Sequence, residues 1–127
     1  MQPSKIVAIV DDDATVLSAL SSLIRSLGVC ALTCLTGESL LADPQLSRVA
    51  FLISDIQIAG GMNGFELLAA LQARRLRIPS VLITGAPTQE AEAQARISGA
   101  LALLPKPVES DLLCRLLEDA VVRSDPG

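Results

Sequence analysis

Four carboxylates, one hydroxyl and one lysine each stand at the end of a short apolar run. "IVAIV" at 6–10 runs into Asp11, Asp12 and Asp13, and "FLIS" at 51–54 runs into Asp55. "VLI" at 81–83 leads to Thr84, and "LALLPKPV" at 101–108 carries Lys106. Neighbouring carboxylates raise one another's pKa unless a cation joins them. An all-oxygen ligand set points to Mg²⁺, which takes a few carboxylates, keeps several waters and accepts a phosphate oxygen. A carboxylate beside such a cation can attack phosphorus and become an aspartyl phosphate. A lysine ammonium and a hydroxyl can then hold the phosphoryl oxygens. The group as a whole is suited to phosphoryl chemistry.

Composition removes several rivals. The chain has 127 residues, the size of one domain, with 50% hydrophobic and 19% charged residues, enough for a core. Histidine is absent, which excludes a Ser-His-Asp triad, a Cys-His pair and a histidine zinc site. A net charge of −4 speaks against direct nucleic-acid binding or an anionic membrane surface. No apolar run reaches membrane-spanning length, and the N-terminus lacks a signal-peptide pattern. Cys30, Cys34 and Cys114 read as buried small hydrophobes. Free thiols fit a reducing compartment, the cytoplasm.

The elements that must position these groups alternate in texture. Apolar runs at 5–10, 29–34, 49–54, 80–84 and 101–104 read as buried strands. Helix-period segments follow at 14–27, 38–47, 63–75, 88–98 and 109–123. Asp13 is placed to cap the first helix and Gly28 to end it. Pro44 makes the second helix short or irregular. Val16, Leu17, Leu20, Leu23, Ile24 and Leu27 form the first helix's apolar stripe. Phe65, Leu68 and Leu71 form the third helix's stripe, and Leu112, Leu113, Leu116, Leu117 and Ala120 the last helix's. Segment 88–98, with a Thr88 cap, is alanine-rich and thinly packed. Five β-α repeats with apolar strands predict an α/β fold, a single doubly wound five-stranded parallel sheet with five helices. In such sheets ligands bind beyond the carboxyl ends of the strands, where the polar groups fall. The domain is expected over 1–123, with 124–127 a tail or the start of a linker.

"VDDD" at 10–13, "LISDIQ" at 52–57, "LITGA" at 82–86 and "LPKPV" at 104–108 occur in this order, with "GA" at 99–100 before the last strand. Over nearly the whole chain this resembles the receiver domain of two-component response regulators. The resemblance implies a flavodoxin-like fold with strand order 2-1-3-4-5. It implies Asp55 as phosphoacceptor, Asp11, Asp12 and Asp55 with the backbone carbonyl of Gln57 as Mg²⁺ ligands, Thr84 as switch hydroxyl and Lys106 as phosphate-binding lysine. A cis peptide before Pro107 is implied as well. The partner would be a histidine kinase or histidine phosphotransfer protein. Output would pass through the 88–123 face, to a homodimer mate or an output domain. The chain departs from the family pattern at Ile58 and Ala59, where Met-Pro is usual, and at Leu103, where an aromatic is usual. The loop before Gly64 is one residue longer, with Gly60 and Gly61 absorbing the difference.

Two other readings use the same residues. "DDDATV" at 11–16 fits the D-x-D-x-[TV] signature of haloacid dehalogenase-like phosphohydrolases, with Asp11 as nucleophile and Asp13 as general acid/base. That family needs a further acidic pair after a late strand, and "TGAPT" and "PKPV" offer none. A pseudo-receiver would keep the fold as a binding module without being phosphorylated. A flavin carrier lacks an aromatic to stack on the ring.

Overall fold

Alternate residues of the central strands sort into two separate cores, and that sorting defines the layers. The computed structural model describes residues 5–124, the side chains of 122–124 excepted. The order is β1 (Ile6–Val10), α1 (Ala14–Ser26), β2 (Cys30–Cys34), α2 (Gly37–Leu41), a 3-10 turn (Leu46–Arg48), β3 (Val49–Asp55), α3 (Gly64–Ala73), β4 (Ser80–Thr84), α4 (Gln89–Ile97), β5 (Ala102–Pro105) and α5 (Ser110–Ser124). Ala8, Val10, Leu52 and Leu82 join residues of α2, α3 and α4 in one core. Val7, Ile9, Phe51, Ile53, Val81 and Ile83 join α1 and α5 in the other. Side chains on a strand alternate between faces, so uninterrupted apolar runs such as "IVAIV" serve both cores at once.

All pairings are parallel, in the order β2-β1-β3-β4-β5 expected from sequence. The register aligns the strand ends that matter. Val10 pairs with Ser54, Asp55 with Ile83, and Thr84 with Pro105. Asp11, Asp55, Thr84 and Lys106 therefore reach the same edge of the sheet.

Helix starts follow their cap residues. Asp13 accepts a hydrogen bond from Thr15 N, Thr36 from Ser39 N and Thr88 from Ala91 N. Asn63 and Glu66 form a reciprocal capping box at α3. Gly28 follows α1 with φ +80°, a conformation that glycine adopts at little cost. The second helix is short, as Pro44 required. Among the described residues, no helix is long and apolar enough to cross a membrane.

The edges of the fold correct several expectations. β2 is an edge strand, so Cys30 is exposed, while Cys34 is buried and Cys114 only partly so. Leu27 keeps the stripe's spacing but is the C-cap residue, past the last turn of α1, and is 43% exposed. Leu112 is exposed because α5 faces the core through Leu113 and Leu117, a spacing of one turn. In α3, Leu67 is fully buried beside Leu68 and Leu71, and Phe65 is only half-buried. Helix α5 runs to Ser124, one residue into the expected tail, and 125–127 lie outside the described residues.

Thiol accessibility checks the edge-strand assignment. A maleimide should label Cys30 first and leave Cys34 at least about tenfold slower, since Cys34 is buried and burial pushes its thiol pKa up. Peptide mapping after brief labelling gives the order.

Candidate functional site

The site is assembled where β1, β3 and β5 end. Asp11 follows β1 directly, and its backbone N–H donates to Cys34 O at 3.1 Å. Its side chain is fully buried, and Oδ1 accepts from Asp13 N at 2.9 Å. Asp55 ends β3, 6% exposed, and its Oδ1 accepts from Gln57 N at 3.1 Å. Lys106 follows β5, its backbone N–H donating to Thr84 O at 2.9 Å. From there Nζ reaches back across the sheet, 2.8 Å from Asp55 Oδ2 and 2.9 Å from Asp11 Oδ2. Lys106 therefore binds two buried carboxylates together.

Gly64 makes room for this arrangement. Its N–H donates to Ile56 O, and a side chain there would come within 2.5 Å of the Asp55 carbonyl oxygen. The start of α3 can approach the end of β3 only because this residue is glycine.

The charges are tightly linked. Burial raises the pKa of Asp11 above the ordinary carboxyl value and the nearby Asp55 charge adds to this, while Lys106 and the Asp13 N–H pull the other way. Burial alone would lower the Lys106 pKa, but Asp55 and Asp11 outweigh it and raise the ammonium above its ordinary value. The Lys106–Asp11 contact is an ion pair without hydrogen-bond alignment. Asp11 Oδ2 is thus the one buried side-chain polar atom among the described residues that lacks a hydrogen-bond partner. Oxygens of Asp11, Asp12 and Asp55 all lie within 4.8 Å of one another. A hard, oxygen-seeking cation fits this set, because it would meet the orphaned oxygen and separate three negative charges.

Asp12 is exposed, and its Oδ2 accepts from Ala59 N at 3.0 Å. Asp12, Asp55, Gln57, Ile58, Ala59, Asn63, Phe65, Gly85, Gln94 and Lys106 line an open cleft of about 750 Å³ beside the carboxylates. Thr84 is 2% exposed, and its Oγ1 accepts from Ala86 N at 3.1 Å. It stands one strand away from Asp55 and is joined to Lys106 through the backbone. The Lys106–Pro107 peptide is cis. Asp13 is occupied in capping α1. Leu103 pairs with Leu82 and packs, half-buried, on the core shared by α2, α3 and α4. In the sequence Ala59 stood out only as a departure from the family pattern and Glu38 not at all, yet the Ala59 N–H and the Glu38 carboxylate both hold the loop after Asp55. The extra glycine at 60–61 was the available signal.

Comparison with known proteins agrees with this geometry. The family model of the response regulator receiver domain matches residues 7–118. The transcriptional regulatory protein FixJ of Bradyrhizobium diazoefficiens is 30% identical, over 94% of this chain and 58% of its own length. The DNA-binding transcriptional regulator NtrC of Salmonella typhimurium is 34% identical, over 91% of this chain and 24% of its own length. The chain thus spans between about a quarter and three fifths of these curated relatives. Among solved structures, the Vibrio cholerae chemotaxis protein CheY4 superposes with a TM-score of 0.83 at 25% identity, covering 93% of this chain and 99% of that one. A receiver protein from Pseudoalteromonas atlantica shares the fold with a TM-score of 0.86 at 20% identity, covering 94% and 99%.

The Lys106 bridge has a pH signature. In metal-free buffer, Lys106→Met should lower stability at neutral pH by roughly 1–3 kcal/mol, below the 3–5 typical of breaking a fully buried pair, because the ammonium is partly exposed. The raised lysine pKa means that its contribution is fully present below the ordinary lysine value and is lost as pH rises through the folded value. At the acid end, Asp11 protonates early because its pKa is raised, so the variant's deficit shrinks as pH falls. Denaturant unfolding across a buffer series should show the deficit largest in the neutral range and smaller at both ends.

Proposed function

This chain belongs to the response regulator receiver domain family, and from that premise we propose that Asp55 accepts a phosphoryl group from a histidine kinase or a histidine phosphotransfer protein. The observation that carries this reading is the single ammonium of Lys106 held between the buried carboxylates of Asp11 and Asp55 at the open cleft. We take residues 1–123 as the functional unit, working in the cytoplasm with no direct nucleic-acid or membrane contact.

An Asp55 carboxylate oxygen attacks phosphorus in line while the phosphorus–nitrogen bond of the donor phosphohistidine breaks. The electron pair leaves with the imidazole, which picks up a proton, and Asp55 becomes an acyl phosphate. Asp11, Asp12, Asp55 and the Gln57 carbonyl would hold Mg²⁺, which supplies charge neutralisation for the phosphoryl oxygens. Lys106 already lies 2.8 Å from the Asp55 carboxylate, so it can follow the new negative charge onto the phosphoryl group. Thr84 can turn its hydroxyl toward the same group by leaving Ala86 N. Slow attack of water on the acyl phosphate resets the domain, and no other catalytic activity is proposed.

The signal would leave through α4, β5 and α5. Thr84 precedes α4, and Lys106 links β5 to α5. Helix α4 buries only Ala95, so little packing resists its displacement. Leu103 would take the place of the usual aromatic and give a smaller inward shift. A homodimer mate or an output domain would read that face.

The phosphohydrolase reading is not favoured. Its acid/base residue, Asp13, caps α1, and its nucleophile, Asp11, is fully buried under Lys106.

Incubation with acetyl phosphate and Mg²⁺, borohydride trapping and peptide mass spectrometry should place label on Asp55, with none after chelation or in Asp55→Asn. Lys106→Ala should lose labelling or the conformational response severely. Thr84→Ala, which removes a hydroxyl bond worth about 0.5–1.5 kcal/mol, should still be labelled but respond weakly. Label on Asp11 would favour the phosphohydrolase, and no label even with a real kinase would favour a pseudo-receiver.

A further inference from the structure

The loop between Asp55 and α3 is tethered to two carboxylates from separate elements. Asp12, after β1, accepts from Ala59 N at 3.0 Å. Glu38, in the first turn of α2, accepts from Met62 N through Oε2 at 3.0 Å. Between these tethers lie Gly60, with φ +80°, and Gly61. A Cβ on Gly61 would collide with the Glu38 carboxylate, whose Oε2 and Cδ lie at 2.8 and 2.9 Å from the Cβ position. A Cβ on Gly37 would likewise press on Met62 at 2.8 Å. The first turn of α2 and the lengthened loop are therefore fitted closely together.

The two tethers are not equivalent. Asp12 lies within the carboxylate group that fits a cation, and only its Oδ2 engages Ala59 N, so a cation that draws the carboxylate toward Asp11 and Asp55 pulls against the Ala59 bond. Glu38 stands outside that group. When Asp12 turns to a cation, Glu38 remains to hold the loop.

Resting on the metal reading above, we propose that Glu38 is a positioning residue for cation binding. It accepts the Met62 N–H and keeps the 57–62 loop seated over the site while Asp12 leaves Ala59. The Gln57 backbone then stays in place for the cation. Gly61, with no side chain, leaves the Glu38 carboxylate room to reach across. Without the Glu38 tether, cation binding must order the loop, and that entropy appears as weaker affinity.

Mg²⁺ titration of the metal-free protein, followed by amide NMR, tests this. Glu38→Ala should weaken Mg²⁺ binding about fivefold, equivalent to about 1 kcal/mol, and speed hydrogen exchange at Met62 N. Glu38→Gln keeps an acceptor oxygen and should stay within about twofold of wild type. Gly61→Ala, which pushes on the flexible end of Glu38, should fall between wild type and Glu38→Ala, and the double variant should be no worse than Glu38→Ala alone. The proposal is overturned if Glu38→Ala binds Mg²⁺ like wild type, if Glu38→Gln fails like Glu38→Ala while folded, or if the two single effects add. Wild type that takes up no Mg²⁺ would overturn the metal assignment itself and this role with it. Asp12→Ala separates the cases, because it should lose Mg²⁺ binding whatever Glu38 does.

Discussion

One ammonium group holds two buried carboxylates that would otherwise repel each other. Lys106 Nζ sits 2.8 Å from Asp55 and 2.9 Å from Asp11, and Asp11 has no exposed surface. Much of the fold serves this contact. β1 and β3 must be neighbours for their terminal aspartates to meet, and the strand order makes them so. β5 lies two strands from β3, so only a side chain as long as lysine spans the gap. Burial alone would disfavour the charges of Asp11 and Lys106; the two carboxylates favour the ammonium, while Lys106 favours the Asp11 carboxylate against burial and the neighbouring Asp55 charge.

The same contact explains how a small chemical event could become a large one. The lysine satisfies two acceptors imperfectly, leaving Asp11 Oδ2 without an aligned hydrogen bond. A cation and a phosphoryl group would each redistribute that bridge, one by competing for the carboxylates and the other by attracting the ammonium. Lys106 is bonded through its backbone to Thr84, so a pull on the lysine is felt at the ends of both β4 and β5. Beyond β4 lies α4, whose one buried side chain is the small Ala95, so little packing resists its movement.

Much of this was legible in the sequence because the governing signals are local. Apolar runs ending in Asp11, Asp55, Thr84 and Lys106 located both the strands and the edge where they meet. Asp13, Thr88 and Gly28 marked helix ends through cap chemistry. Tertiary context decided what was not legible. Nothing local distinguishes the exposed edge strand holding Cys30 from a central one, and the stripe positions Leu27 and Leu112 proved exposed. The partners of the loop after Asp55 were out of reach as well. The Glu38–Met62 bond joins residues 24 apart and the Asp12–Ala59 bond residues 47 apart. Only the extra glycine at 60–61 hinted that something crosses there.

The most direct test of Asp55, the cation set and Lys106 as one phosphoryl site is fluorine NMR with beryllofluoride, a phosphoryl mimic. A protein-bound fluorine signal should appear with wild type only when Mg²⁺ is present. It should persist in Asp13→Asn and vanish in Asp55→Asn. A bound signal that survives Asp55→Asn, or that depends on Asp13 instead, would contradict the account.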